Sequence, residues 1–297
     1  MRRPWYGHDT GLTVRMALVM LLLAALYLAF VLVLWASGVD TSLVVALAAA
    51  MLGVQYFFSD RLALWTMGAR EVRPAEAPEL HALVERLAQS ADLPKPRLAI
   101  APTAVPNAFA TGRGPGSAVV AVTSGLLQTL DGPELESVLA HELAHVKNRD
   151  VAVMTLASFF AVVAQMLLRS FYWQSLGTRR RRDGNALLLI YGASLVVWVV
   201  SFFLIRALSR YRELAADRGA AILTGAPSQL AAALLKISGG MQRIPARDLR
   251  EVEALNAFFI VPALTGSGFL ELFSTHPSLE RRLEQLARLQ EEMERPR

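Results

Sequence analysis

The sequence predicts an α+β protein that is mainly helical and passes through a membrane several times. Of its 297 residues, 54% are hydrophobic and only 19% are charged, and the mean hydropathy is +0.38. Soluble proteins are about half apolar and about a quarter charged, so this surplus needs an apolar environment larger than a protein core. Four apolar stretches, near residues 14–35, 42–58, 151–172 and 186–205, have about the length of helices that cross hydrocarbon. A lipid bilayer is therefore the first expected partner.

The first two stretches form a predicted N-terminal transmembrane hairpin over residues 1–60. The uncharged run from Met16 to Trp35 is longer than the apolar core of a secretory signal. No small-residue cleavage site follows it, which favours a retained anchor over a cleaved signal peptide. Arginines flank the hairpin on both sides, whereas the connection near Asp40 has no Lys or Arg. The positive-inside rule then places the residues after the hairpin in the cytoplasm.

A second apolar hairpin is predicted at residues 151–205, and its depth in the bilayer is open. Arg179 to Arg182 lie between its two apolar segments, on the outer side if both segments cross. Either this run is translocated against the positive-inside rule, or the hairpin is re-entrant and its tip returns to the cytoplasm.

The water-soluble part is predicted in two pieces, residues 61–150 and 206–297. Prolines punctuate the first piece, and apolar residues recur there with helical or strand periodicity. Asp131, Gly132 and Pro133 supply the cap and first-turn signals of a helix. The predicted elements are helices over 79–90, 133–148, 209–223 and from Leu279 onward, and strands over 97–101 and 118–123 with a loop around Asn107 between them.

The helix that begins at Pro133 carries the pattern HExxH at residues 141–145. Histidines four residues apart share one helical face, so His141 and His145 can bind one zinc ion together. Glu142 lies beside the metal and can take a proton from metal-bound water. The chain has no cysteine, which excludes disulfides and every cysteine-based metal site. A solvated polar helix turn is the alternative, and it rarely produces this pattern.

A catalytic zinc ion takes three protein ligands and keeps one open position, so a third ligand is needed downstream. The candidates are a carboxylate and His276. Glu213 and Asp217 lie four residues apart on one helical face. Glu213 can bind zinc while Asp217 accepts the second N–H of a ligating histidine. The alternative is that both carboxylates are surface salt-bridge partners of Arg210 and Arg212.

These motifs resemble those of the HtpX branch of the membrane-bound, Ste-type zinc metalloproteases, which also include the CAAX prenyl proteases. The resemblance covers nearly the whole chain, from the two N-terminal spans through HELAH and the apolar hairpin to the Glu-x-x-x-Asp helix. Residues 107–110 are similar to the family's NAFA segment beside the active-site edge strand. Residues 275–277 with Arg282 are similar to its THP-x-x-x-x-R stretch.

The resemblance implies a zincin-like metallopeptidase domain of the gluzincin type, in a multi-pass protein of a bacterial inner membrane. The positive-inside rule places its active site on the cytoplasmic side. The resemblance also implies one zinc ion per chain, held by His141, His145 and Glu213, with Glu142 as the base. Misfolded or damaged membrane proteins are the implied polypeptide substrates. Because the three ligands must converge on one ion, residues 150 and 206 are expected to emerge on the same face of the membrane.

Further residues are expected to contact the substrate. His276 is the candidate donor to the tetrahedral oxyanion, and a loop histidine with only a packing role is the alternative. Asn107, Phe109 and Arg282 are the expected substrate-binding residues, although Asn107 also suits a simple turn. The resemblance implies that Arg282 lies near either the substrate carbonyl or the metal helix. The strand over 118–123 is expected to pair with an extended substrate.

Other functions stay open beside peptide-bond hydrolysis. A specific processing peptidase of the CAAX type would need an intramembrane cavity for a prenyl chain, and four apolar segments are few to enclose one. A metal-binding scaffold or stress sensor without turnover is disfavoured by the joint presence of Glu142, Glu213 and Asp217. No pattern of interleaved aromatic and basic residues favours nucleic acid. The stretch that contains Phe258, Phe259 and Thr265 to Phe269 is either a flap over the cleft or a loop that touches lipid.

Overall fold

The computed structural model describes residues 10–37, 42–177, 184–242, 260 and 274–295. These residues are mainly helical and form one four-stranded sheet, which confirms the predicted fold class. The Arg179 to Arg182 run and the stretch with Phe258 and Phe259 lie outside the described residues. The helices are α1 Thr10–Ala36, α2 Ser42–Phe57, α3 Ser59–Thr66, α4 Pro78–Ser90, α5 Ser124–Thr129, α6 Gly132–Asn148, α7 Asp150–Gly177, α8 Gly184–Thr224, α9 Pro227–Gln242 and α10 Leu279–Glu294, and the strands are β1 Arg70–Glu71, β2 Arg97–Ala101, β3 Ala108–Thr111 and β4 Val119–Thr123.

Two helices in the described part of the chain are long and apolar enough to cross a membrane, namely α1 and the portion of α8 from Leu188 onward. Helix α7 is a third only if its two halves, which meet at 41°, are counted as one span. Helix α2 has 16 residues. At about 1.5 Å per residue it is about 24 Å long, shorter than the roughly 30 Å of bilayer hydrocarbon.

The membrane helices pack through one apolar cluster, which joins α1, α2, α7 and α8. Within it, the Tyr27 hydroxyl on α1 donates a hydrogen bond of 2.6 Å to the Ala157 carbonyl on α7. Many large apolar side chains on the same helices are exposed, including Leu21, Trp35 and Leu188. A soluble protein rarely exposes so much apolar surface, and a bilayer would cover it.

The sheet places β3 at its edge, because the strand order is β1-β2-β4-β3. Strand β4 pairs in parallel with β2 and antiparallel with β3, with Ala121 opposite both Ala99 and Phe109. Both sides of β4 are thus occupied by neighbouring strands, and the prediction that residues 118–123 pair with substrate is wrong. The loop expected around Asn107 instead contains β3.

Helix α6 is fixed at its start by a capping box. The Asp131 side chain accepts a hydrogen bond of 3.1 Å from the Glu134 backbone N–H, and the Glu134 side chain accepts one of 3.0 Å from the Asp131 N–H. Such a box satisfies backbone donors that the first helical turn leaves unpaired. Val138, Leu139 and Leu143 bury the inner face of α6 in the main core with Val120 and Val122 of β4. The HExxH segment is therefore packed against the sheet.

Helix α8 joins the membrane part of the molecule to the water-soluble part. It runs without a break over 41 residues, or about 60 Å at the usual rise per residue. The fourth apolar stretch and the helix that carries Glu213 and Asp217 are therefore one continuous element. This continuity makes the position of Glu213 depend directly on the position of the membrane helix.

Gly125 at the start of α5 lies very close to the preceding loop. An added Cβ would be 2.2 Å from the carbonyl oxygen of Ala104. We expect Gly125→Ala to destabilise the protein by about 1–3 kcal/mol because the backbone must move, measured as a lower Tm in detergent. The control is Gly239→Ala in α9, where an added Cβ meets nothing within 4 Å. This substitution should stabilise the helix by about 0.5–1 kcal/mol. A Tm for Gly125→Ala at or above the wild-type value would contradict this close approach.

Candidate metal centre

Helices α6 and α8 bring the three candidate zinc ligands together. The Nε2 atoms of His141 and His145 are 3.1 Å apart. Glu213 Oε1 lies 3.3 Å from His145 Nε2, and Glu213 Oε2 lies 3.7 Å from His141 Nε2. In a tetrahedral site with zinc–ligand distances of about 2.0–2.2 Å, neighbouring ligand atoms are about 3.3–3.6 Å apart. The observed separations therefore fit one zinc ion.

The burial of these groups also fits a bound cation. His141 is 1% exposed and Glu213 is 7% exposed. Among the described residues, the Oε2 atom of Glu213 is buried without a hydrogen bond of acceptable geometry. A buried carboxylate oxygen in that state is costly. His276 Nδ1 lies 3.2 Å from it, and a bound metal ion would supply a further partner. The alternative of Glu213 and Asp217 as surface salt-bridge residues is wrong, because both are buried.

Asp217 supports the first histidine from the same helix as Glu213. Its Oδ1 atom is 2.9 Å from His141 Nδ1, and its side chain is fully buried. Arg282 on α10 donates two hydrogen bonds to this carboxylate, of 2.8 Å from Nε and 2.6 Å from Nη2. The bidentate pair fixes the carboxylate, and the carboxylate in turn fixes the imidazole.

Arg282 and Asn107, which were predicted to bind substrate, are both buried and are not among the residues that line the cavity beside the candidate ligands. Arg282 is 2% exposed, and its Nη1 atom donates a hydrogen bond of 2.6 Å to the Ile260 carbonyl and lies 3.8 Å from Glu213 Oε2. Asn107 is fully buried, and its Oδ1 atom accepts a hydrogen bond of 3.0 Å from the Ile260 N–H. Both side chains therefore serve the packing around Ile260 and Asp217.

A cavity of about 270 Å³ opens beside the three candidate ligands. Strand β3 forms one wall, including Phe109, whose side chain belongs to a buried cluster with Ala63 and Leu64. Val151 and Met154 of α7 contribute apolar surface from the membrane side. The cavity is thus a mainly apolar cleft between the sheet edge and the base of the membrane helices.

Glu142 lines the cavity and is almost completely buried. Burial raises the pKa of its carboxyl group above the ordinary value, and the neighbouring charges of His141 and His145 act against this rise. The backbone N–H of Ala110 donates a hydrogen bond to Glu142. The carboxylate is therefore held between the candidate ligands and the edge strand.

Neighbouring carboxylates favour the protonated forms of His141 and His145 when no metal is bound. Burial acts to lower the pKa of His141, but the neighbouring carboxylates of Asp217 and Glu213 outweigh it and raise this pKa. The pKa of His145 is raised in the same way by Glu213. A metal ion must displace these protons, so its affinity should fall at acidic pH.

His276 completes the wall of the cavity next to Glu213. Its Nδ1 atom is 3.2 Å from Glu213 Oε2, and it is 6% exposed. The loop that carries it is tied to α8, because Arg210 donates a hydrogen bond of 2.9 Å to the Ser274 carbonyl. Ser274 Oγ accepts one of 3.2 Å from the His276 N–H.

Asp150 and Arg212 also belong to the centre, although the sequence analysis did not assign either of them to it. Asp150 Oδ2 is 2.6 Å from His145 Nδ1. Arg212 of α8 forms an ion pair with the same carboxylate. The available signals were the position of Asp150 five residues after His145 and that of Arg212 directly before Glu213.

Comparisons with known proteins identify the family. A profile of the Peptidase family M48 matches residues 74–290. The chain is 66% identical to "Protease HtpX homolog" of Moorella thermoacetica, with 100% of both chains covered. It is 56% identical to "Protease HtpX homolog 2" of Methanosarcina acetivorans, with 99% of this chain and 100% of the relative covered.

A solved structure shows the same fold at much lower identity. S. mikatae Ste24p aligns with a TM-score of 0.56 at 18% identity, over 94% of this chain and 67% of that chain. These two HtpX relatives match over their full length, and the family profile spans most of the chain. The chain therefore belongs to peptidase family M48, whose members are zinc enzymes, and it is a membrane metalloprotease related to the HtpX proteases.

Proposed function

We propose that the chain is a zinc-dependent endopeptidase of the cell membrane, in which His141, His145 and Glu213 hold one zinc ion. The observation that carries this proposal is the meeting of their ligand atoms, separated by 3.1–3.7 Å, at the side of a cleft. When bound, zinc supplies a Lewis acid that activates water and polarises the scissile carbonyl.

Glu142 acts as the general base in this proposal. It lines the cleft, and its buried carboxylate has a raised pKa, which brings it closer to the working pH of a base. It takes a proton from the attacking water and passes it to the leaving amine. His276 lines the same cleft and is the proposed donor to the oxyanion.

The substrate binds as an extended strand along the edge of β3. This strand lies at the sheet edge and forms a wall of the cleft, and Ala110 within it contacts Glu142. Backbone hydrogen bonds to an edge strand give affinity, and side-chain pockets give selectivity. Phe109 is the proposed contact residue in this strand.

Strand addition also favours unfolded substrates, because a peptide must leave its own fold before it can pair with β3. The cleft opens beside Val151 and Met154 at the base of α7, close to the membrane helices. These two features support misfolded or damaged membrane proteins as the substrates. The arginines that follow α2, at 61, 70 and 73, support a cytoplasmic position for the cleft, in a multi-pass protein of the inner membrane.

The proposal predicts proteolysis that depends on zinc and on substrate unfolding. We expect the purified full-length protein in detergent to cleave a chemically unfolded test protein and to leave its folded form intact. Treatment with 1,10-phenanthroline should reduce cleavage to background, and added zinc should restore it. Fragments are measured by gel electrophoresis and mass spectrometry. Cleavage that continues after zinc has been removed, with removal verified by elemental analysis, would contradict the proposal.

A further inference from the structure

The second histidine of the centre has a carboxylate partner of its own at the junction of α6 and α7. His145 Nδ1 is 2.6 Å from Asp150 Oδ2, and Asp150 is 9% exposed. An imidazole that donates its Nδ1–H to a carboxylate keeps the lone pair on Nε2. In His145, Nε2 is the atom that faces His141 and Glu213. Asp150 therefore selects the tautomer that can bind a metal.

The turn between the two helices brings Asp150 back toward His145. Arg149 closes α6 in the left-handed conformation with φ 54°, and its N–H donates to the Val146 carbonyl at 3.2 Å. This conformation is uncommon for a residue other than glycine. It ends α6 and starts α7 one residue later, so that the side chain of Asp150 reaches the histidine of the preceding helix.

Asp150 is in turn held by Arg212, which reaches across from α8. The guanidinium forms an ion pair with the carboxylate, and its Nη2 atom donates a hydrogen bond of 3.0 Å to the Asn148 carbonyl. Arg212 is 6% exposed and directly precedes Glu213. The same Nη2 atom makes both contacts, so Arg212 ties the Asp150 carboxylate to the carboxyl end of α6.

We propose that Asp150 and Arg212 are a positioning pair, which orients the ring of His145 and ties the metal centre to the base of α7 and α8. The proposal rests on the proposed zinc-binding function. Asp217 and Arg282 support His141 in the same way, so each histidine is backed by one Asp–Arg pair. The difference is that Asp150 opens α7, and Arg212 lies on the helix that continues from the membrane. A relative shift of α7 and α8 would therefore turn the His145 ring.

The loss of metal affinity is expected to depend on how much of the Asp150–Arg212 pair is removed. Asp150→Asn keeps an acceptor oxygen but removes the charge, and we expect an affinity about 10-fold lower. Asp150→Ala frees the ring, and we expect a loss of up to about 100-fold. Arg212→Met should resemble Asp150→Asn. The double variant Asp150→Asn with Arg212→Met should lose less than the product of the two single losses, because both changes remove one interaction.

Cobalt(II) titration of the full-length protein in detergent tests this pair without reference to activity. The intensity of the visible cobalt bands reports coordination geometry, and their growth reports affinity. The matched control is Asp60→Asn. It breaks another Asp–Arg ion pair, in which Asp60 Oδ2 lies 2.6 Å from Arg97 Nη2, outside the metal centre. The Tm of each metal-free variant shows whether the fold is intact, and the isosteric Asn variant tests the pair even if the Ala variant unfolds.

The expected result is weaker binding and altered cobalt bands in the Asp150 and Arg212 variants, with wild-type behaviour in the Asp60 control. Wild-type affinity and bands in folded Asp150→Asn and Arg212→Met would overturn the positioning role. Losses that multiply fully in the double variant would also overturn it, since the two residues would then act separately. Failure of the wild-type chain to bind cobalt or zinc would instead refute the proposed function.

Discussion

Replacing Glu142 with Gln is expected to lower peptide cleavage by about 10²–10⁴-fold, the usual contribution of a general base. Gln has nearly the same shape but cannot accept the proton of the attacking water. The ligand atoms of His141, His145 and Glu213 are untouched, so zinc should stay bound. Cleavage rate and zinc content are measured on the same preparation.

The control for this variant is Glu136→Gln on the same helix. Glu136 pairs with Arg86 on the surface at 2.8 Å, away from the cleft. The Glu136→Gln protein should cleave peptides at the wild-type rate. Wild-type cleavage by the Glu142 variant would remove Glu142 from the role of base, whereas loss of zinc from that variant would show that its carboxylate serves the site in another way.

Removal of the third ligand is expected to disable the centre itself. In Glu213→Ala the metal keeps only two imidazoles, and the affinity should fall by more than the roughly 10–100-fold typical of changes outside the ligand sphere. Cleavage should fall to background at low free zinc. Zinc affinity is measured by competition with a chromogenic chelator, and cleavage is measured at matched free zinc.

Glu292→Ala is the control for the loss of a carboxylate. Glu292 is an exposed residue of α10, and its Oε2 atom lies 4.0 Å from Nη1 of Arg218 on α8. Its removal should change neither zinc affinity nor cleavage. If Glu213→Ala kept wild-type zinc affinity and cleavage, the third ligand would be another residue. His276, whose Nδ1 atom lies 3.2 Å from Glu213 Oε2, would be the first to test.

Local signals predicted the elements that carry the histidines. The cap residues before Pro133 and the four-residue spacing of His141 and His145 are properties of a short stretch of chain, and α6 begins and ends within a residue of the predicted positions. Strand β2 matches the prediction, and β4 starts one residue later. The placement of Glu213 on α8 relied on helical spacing together with family resemblance.

Contacts between distant parts of the chain limited the remaining predictions. Strand β3 has the sequence Ala-Phe-Ala-Thr, which has no clear alternation, and it becomes a strand because it pairs with β4. Arg212 reaches a residue 64 positions away, and Arg282 reaches one 65 positions away. Periodicity carries no information about such pairs. Arg212 was considered only as a surface salt-bridge partner and Arg282 as a substrate-binding residue, whereas ion pairing allows both to be buried.

X-ray absorption at the zinc edge tests the metal centre most directly. We expect one zinc ion per chain, with scattering from two imidazoles and carboxylate oxygen at about 2.0–2.2 Å. The Glu213→Ala protein, loaded with zinc at high concentration, should lose the carboxylate contribution and keep both imidazoles. A wild-type spectrum with fewer than two imidazoles around zinc would contradict the assignment of His141, His145 and Glu213 as its ligands.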